Sequence, residues 1–344
     1  MHYIAPSWLP GGHLQTIWPA LYARRYRGPA IHYRRERWAT PDGDFVDVDW
    51  LEPEPDPTAP AAPHRHSGAP LLVLFHGLEG SSRSHYAEAF AGWAREQGVA
   101  FAVPHFRGCS GAINHAPRAY HSGDHAEIDW MLTRLKAAQA ARGNGPLLAV
   151  GVSLGGNALL RWAGERGHAA RQTVDAVAAV CAPLDLAAGG HAIGRGFNRQ
   201  VYNRIFLRTM KAKALAKLAQ HPGLFDAQRL RNAPDLYAFD DLFTAPLHGF
   251  TGVEDYWRRA SAKPHLPAIR VPALALNARN DPFVPAASLP RLGEVGRFVN
   301  LWQPNEGGHV GFAQGRPPGD VFWLPRAVGG WLLAQAPAGG FGGA

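Results

Sequence analysis

Apolar residues along the chain fall into two patterns: short continuous runs, and longer stretches in which they recur every three or four positions. The runs at 71–75, 99–103, 147–150 and 176–180 have strand length and no polar alternation, so they predict strands buried on both faces. Residues 271–276 predict another strand and 297–301 the last. Residues 37–40 and 45–51, joined by Pro41-Asp42-Gly43, predict an antiparallel hairpin. Between the runs, helical spacing predicts helices over 84–97, 124–141, 154–166 and 320–335. In the second of these Ile128, Leu132 and Leu135 share one side. Strands alternating with helices predict an α/β fold, a mostly parallel sheet of about eight strands flanked by helices.

One interval breaks this rhythm. From 184 to 268 no strand pattern occurs, only helical and Pro-punctuated sequence carrying Phe239, Phe243 and Trp257. A stretch of about 85 residues is too long for a plain connection. It predicts a helical cap insertion over about 185–268, inside a single domain spanning 1–344. Residues 52–70, rich in Pro and Ala, predict a flexible loop, and 336–344 a small-residue tail. Gly11-Gly12-His13 and the nearby tryptophans read as packing and turn sequence.

Gly151-Val152-Ser153-Leu154-Gly155 lies where a predicted strand passes into a predicted helix. This is the context of a nucleophile elbow, a turn so tight that glycines must flank the serine it exposes. A serine hydroxyl needs a base to take its proton and a carboxylate to orient that base. In chain order the acid and the histidine follow the serine. Asp281 stands in a turn just past the predicted strand 271–276, and His309 just past the last strand. His309 is the only histidine after Asp281, whereas Asp185 competes for the acid role because its loop also opens toward the nucleophile. The oxyanion donors expected are the backbone N–H groups of Leu78, in His76-Gly77-Leu78-Glu79-Gly80, and of Leu154. His76 reads as a loop-shaping residue.

Composition changes this picture little. The formal net charge of +8 raises an anionic partner, but the basic residues are spread along the chain and no nucleic-acid motif accompanies them. A basic, Arg-rich surface is the plainer reading, with no nucleic-acid partner expected. Two cysteines cannot build a disulfide framework, which suits the cytoplasm. No run approaches the ~20 apolar residues of a membrane span. His121 and His125 could face together as metal ligands, but Gly123 and the helix start at Asp124 favour an N-cap. No metal and no cofactor are expected.

Beyond single motifs, the chain resembles the bacterial YheT-type hydrolases of the AB-hydrolase-4 group, related to the eukaryotic ABHD1/ABHD3 branch. The resemblance runs from Trp8-Leu9-Pro10-Gly11-Gly12-His13-Leu14-Gln15-Thr16 to about Phe312. It includes His76 to Ser81, Phe106-Arg107-Gly108-Cys109-Ser110-Gly111, Tyr120-His121-Ser122-Gly123 and Gly151 to Asn157. In the insertion, Gly249-Phe250 and Asp255-Tyr256 match as well. Trp257 stands where a tyrosine would be expected, and the 52–70 loop is long. The resemblance implies an α/β-hydrolase fold and carboxylesterase-type activity carried by Ser153, Asp281 and His309. The substrate expected is a small-molecule ester with an apolar acyl or alcohol group. An acyltransferase or thioesterase using the same residues is the nearest alternative, and a non-catalytic binding protein on a hydrolase scaffold is a further one.

Overall fold

The computed structural model describes residues 2–53 and 68–336. Most of the predicted 52–70 loop and of the tail after 336 therefore lies outside the described residues. Eight strands form one sheet: β1 (Tyr33–Ala39), β2 (Phe45–Leu51), β3 (Leu71–Phe75), β4 (Ala100–Pro104), β5 (Leu147–Val152), β6 (Ala176–Val180), β7 (Ala273–Leu276) and β8 (Val299–Trp302). Their spatial order is β1-β2-β4-β3-β5-β6-β7-β8. β1 and β2 form the antiparallel hairpin, β2 meets β4 antiparallel, and every pairing from β4 onward to β8 is parallel.

The central strands are apolar throughout because both their faces are covered. Side chains alternate across a strand, so Leu71, Val73 and Phe75 pack on one face with Ile128, Leu159 and Trp162. These partners come from α3 (His125–Ala141) and α4 (Leu154–Arg166). Leu72 and Leu74 pack on the other face with Phe90 and Trp93 of α2 (His85–Glu96) and Leu332 of the C-terminal helix Trp323–Gln335. This double cover holds the carboxyl ends of β5, β6, β7 and β8 side by side. The loops that leave them open on a common edge, where an open α/β sheet collects its ligands.

Two corrections to the sequence reading concern the ends of the chain. The Gly11-Gly12-His13 segment is the start of α1 (Gly11–Leu21), not turn sequence. The C-terminal helix begins at Trp323 instead of 320, because Asp320 is bridged to Gln314 and Arg24. Between β6 and β7 no strand occurs among the described residues. The interval holds α5 (Leu186–Ile193), the helix Arg204–Gln220, short turns of helix and the helix Val253–Ala260. Two π-helical turns, Arg199–Asn203 and Asp240–Thr244, interrupt it.

Candidate active site

Ser153 is the single residue between β5 and α4, held at φ 53° and ψ −119°. The left-handed φ is unusual for a residue with a Cβ, and strain of this kind concentrates at functional sites. The turn closes around it: Ser153 N–H donates to Val180 O, and its carbonyl accepts from the N–H groups of Gly156 and Asn157. A Cβ on Gly155 would stand 2.4 Å from the carbonyl oxygen of Phe75, so glycine is required by close approach of the backbones.

His309 meets Ser153 across the sheet edge. Its Nε2 lies 3.0 Å from Ser153 Oγ, and its Nδ1 lies 2.8 Å from Asp281 Oδ2. The Asp281 side chain is fully buried and its other oxygen accepts from the N–H groups of Phe283 and Val284. The Phe283 ring packs on the imidazole at 4.3 Å between centroids. Three residues spread over 156 positions of the chain thus form one hydrogen-bonded chain. Asp185 lies elsewhere in function: it accepts from Ala188 N–H and caps α5.

The loop after β3 is tied by two tyrosines. Gly77 N–H donates to Tyr86 Oη, and Glu79 N–H, at φ 57°, donates to Tyr120 Oη. Between them the Leu78 N–H has no intramolecular acceptor among the described residues, and neither does the Leu154 N–H at the start of α4. Leu78 and Leu154 both line the cavity onto which Ser153 and His309 open. His76 is fully buried: its Nδ1 faces Gly77 O and its Nε2 accepts from Phe106 N–H. Burial lowers its pKa to about 3, so the ring stays neutral and shapes the loop.

The part of the site that the sequence left without a role is α1. Gln15, completely buried, accepts at Oε1 from Gly307 N–H (2.9 Å) and from Asn280 Nδ2 (2.8 Å). Asn280 Oδ1 in turn accepts from Gly308 N–H, and Thr16 Oγ1 accepts from His309 N–H at 2.9 Å. One turn of helix therefore clamps the loop that carries Asp281 to the loop that carries His309. The packing is close enough that a Cβ on Gly311 would stand 1.7 Å from Gln15 O. The available signal was the polar Gln15-Thr16 pair within an otherwise apolar segment. His85 adds a further tie, with Nε2 3.1 Å from Val310 O, and burial lowers its pKa to about 4.

Cys181, Asp281 and His309 place their donor atoms within 4.8 Å of one another, the spacing of a possible metal site. Their contacts do not suit an ion. Burial holds the Cys181 thiol well above its usual pKa, so it stays protonated, and the His309 Nδ1 is already engaged by Asp281. His121 and His125 are not brought together with a third ligand among the described residues. Asp124 caps α3 by accepting from Glu127 N–H.

The interval between β6 and β7 supplies much of the cavity wall: Leu186, Ile193, Phe206, Leu236, Phe239 and Trp257 all face it. Asp240 also reaches this wall, accepting from Thr244 Oγ1 (2.6 Å) and Trp257 Nε1 (2.9 Å). With no cation paired to it among the described residues, burial raises its carboxyl to about 6. The unfolded chain gives up this proton near pH 4 and the folded chain near 6. The group's contribution to stability is therefore best below about pH 4 and falls as pH rises through 6. Relative to wild type, Asp240→Asn should gain about 1–2 kcal/mol between pH 4 and pH 7, less than the full shift because the carboxyl faces a cavity. Urea unfolding at the two pH values measures this, and a pH-independent difference would contradict it.

Comparison with known proteins agrees with this fold. Residues 70–315 match the family described as the alpha/beta hydrolase fold. The protein named "Putative esterase YheT" from Escherichia coli (strain K12) is 38% identical over 328 residues, covering 95% of this chain and 91% of that one. The Homo sapiens protein named phospholipase ABHD3 is 25% identical over 342 residues, covering 98% of this chain and 80% of that one. Among solved structures, the Pyrococcus furiosus esterase Pf2001 superposes with a TM-score of 0.54 at 13% identity, over 91% of this chain and 98% of that one, a likeness of fold. The chain belongs to the α/β-hydrolase family, as a relative of the YheT-type hydrolases.

Proposed function

We propose that this hydrolase is a serine carboxylesterase that cleaves small-molecule esters through an acyl-enzyme on Ser153. The observation that carries the reading is the continuous hydrogen-bonded chain from Ser153 Oγ through His309 to the buried Asp281 carboxylate. Ser153 Oγ attacks the ester carbonyl while His309 Nε2 takes its proton. Asp281 fixes the imidazole tautomer through Nδ1–H and stabilises the imidazolium. Negative charge gathers on the carbonyl oxygen, where the free N–H groups of Leu78 and Leu154 meet it. His309 then protonates the leaving alkoxide. Water, deprotonated by the same nitrogen, releases the acid and restores Ser153.

The interval 185–268 serves as a cap over this site, and its apolar wall favours an apolar acyl or alcohol group. With nitrophenyl esters of increasing acyl length, kcat/KM is expected to rise by up to about fourfold per added methylene until the cavity is filled. A flat or falling series from the shortest ester would contradict an apolar acyl site. An acyltransferase or thioesterase would use the same serine. Product analysis in mixed water and alcohol, with matched oxygen esters and thioesters, separates these three chemistries. The two free thiols, one buried and one half-buried, suit a cytoplasmic setting. No helix of the described residues is long and apolar enough to cross a membrane.

A further inference from the structure

Charge is unevenly placed in the interval between β6 and β7. From 186 to 225 the chain contains no Asp or Glu, yet it carries Arg195, Arg199, Arg204 and Arg208 together with three lysines. The lysines turn inward: Lys211 donates to backbone carbonyls, Lys213 pairs with Glu79, and Lys217 donates to Asn114 O. The four arginines are all exposed, and none takes part in an ion pair among the described residues. Apolar side chains stand among them, with Phe197 50% and Ile205 53% exposed.

The same surface continues onto α1. The His13 ring lies tilted against Phe197 (4.5 Å between centroids) and hydrogen-bonds Tyr202 Oη, which joins α1 to the 196–203 turn. From there Leu14 and Leu21, seven positions apart and hence on one helical face, point to solvent at 47% and 61% exposure. Trp18 lies between them and packs on the exposed Tyr22. Solvent-facing aliphatic and aromatic groups next to unpaired arginines are the two halves of an interfacial surface. A nucleic acid would use the arginines but leave Leu14, Leu21 and Ile205 without a role. The apolar groups stand singly among charges, which suits a lipid headgroup layer that needs no fixed socket.

We propose that the face formed by the outer side of α1 and residues 195–208 docks this protein on the surface of an anionic lipid bilayer. The arginines meet lipid phosphates, while Leu14, Phe197 and Ile205 enter the boundary between headgroups and acyl chains. Phe206 within the same segment, with Ile193 and Met210 just beyond its two ends, lines the Ser153 cavity. Docking therefore sets one wall of the cavity against a phase in which apolar esters collect. This binding goes beyond the esterase reading and does not require it.

Each arginine near such a surface strengthens binding by about fivefold. The test is co-sedimentation of the full chain with phosphatidylcholine vesicles and with mixed phosphatidylcholine–phosphatidylglycerol vesicles, at low and at raised salt. Wild type and Ser153→Ala are expected to bind the anionic vesicles equally, to bind neutral vesicles at least about tenfold more weakly, and to lose affinity with salt. Arg204→Glu/Arg208→Glu should weaken anionic binding by about tenfold or more, and Leu14→Ser/Ile205→Ser by about threefold or more. All four positions are exposed, so these variants keep the fold. Equal binding to neutral and anionic vesicles, no binding to either, or undiminished binding by the charge-reversed variant would overturn the proposal. So would capture by duplex DNA in preference to the anionic vesicles.

Discussion

Replacing Ser153 with alanine is expected to lower kcat on an activated ester by about 10⁴- to 10⁶-fold, leaving the fold intact. The size of the effect follows from the covalent step. Without Oγ there is no acyl-enzyme, and His309 can act only on water placed by chance. Removing Oγ adds no atoms to a turn already held by Val180 O and by the N–H groups of Gly156 and Asn157, so stability should change little. Alanine at 153 keeps a left-handed φ and gains no new strain relative to serine. Steady-state kinetics beside a thermal melt measures both quantities. A variant with unchanged melting and more than about a tenth of wild-type kcat would remove Ser153 from the reaction.

The second large effect is expected at a residue that touches no substrate. Gly311→Ala places a methyl group 1.7 Å from the carbonyl oxygen of Gln15 unless something moves. The obstacle is helix backbone, so α1 or the 307–312 loop must shift by an ångström or more. Either movement strains the bonds from Gly307 N–H to Gln15 and from His309 N–H to Thr16. A displacement of that size in a proton-transfer chain costs about 10²-fold in kcat. Overpacking should also lower stability by about 1–3 kcal/mol. Both are measured on one preparation, by kcat on a short ester and by urea unfolding. If kcat stays within about twofold of wild type, the clamp does not position His309.

How much of this was legible in the sequence depended on what each segment packs against. β3 and β6 coincide with the predicted spans, because strands covered on both faces are apolar from end to end. β1 begins four residues earlier than predicted, at Tyr33. Its outer half reads as polar because Arg35 and Arg37 pair across the hairpin with Asp49 and Asp47, the residues directly opposite. No hydrophobic alternation marks such an edge strand. β7 begins at Ala273, two residues late, since Pro272 has no N–H to give the ladder.

α1 was illegible for a different reason. Two glycines open it and Pro19 lies within it, so local propensity argues against a helix. Its stability comes from docking, with Gln15, Thr16 and Pro19 buried, and docking is a property of the folded chain. Asp281 was preferred to Asp185 on sequence context alone. Both stand after strands of one sheet, and only the three-dimensional arrangement shows that Asp185 is spent on capping α5. The existence of a helical interval after β6 was visible from its lack of strands. Its π-helical turns, and the outward aim of Arg195, Arg199, Arg204 and Arg208, depend on which side of the wall faces the cavity.

The central claim is that Ser153 is an activated nucleophile, and it is tested most directly by reaction with a fluorophosphonate followed by mass mapping of the modified peptide. The expected result is one adduct on Ser153 in native protein, absent from Ser153→Ala and from heat-denatured protein. A folded wild type that stays unmodified, or an adduct at another residue, would contradict it.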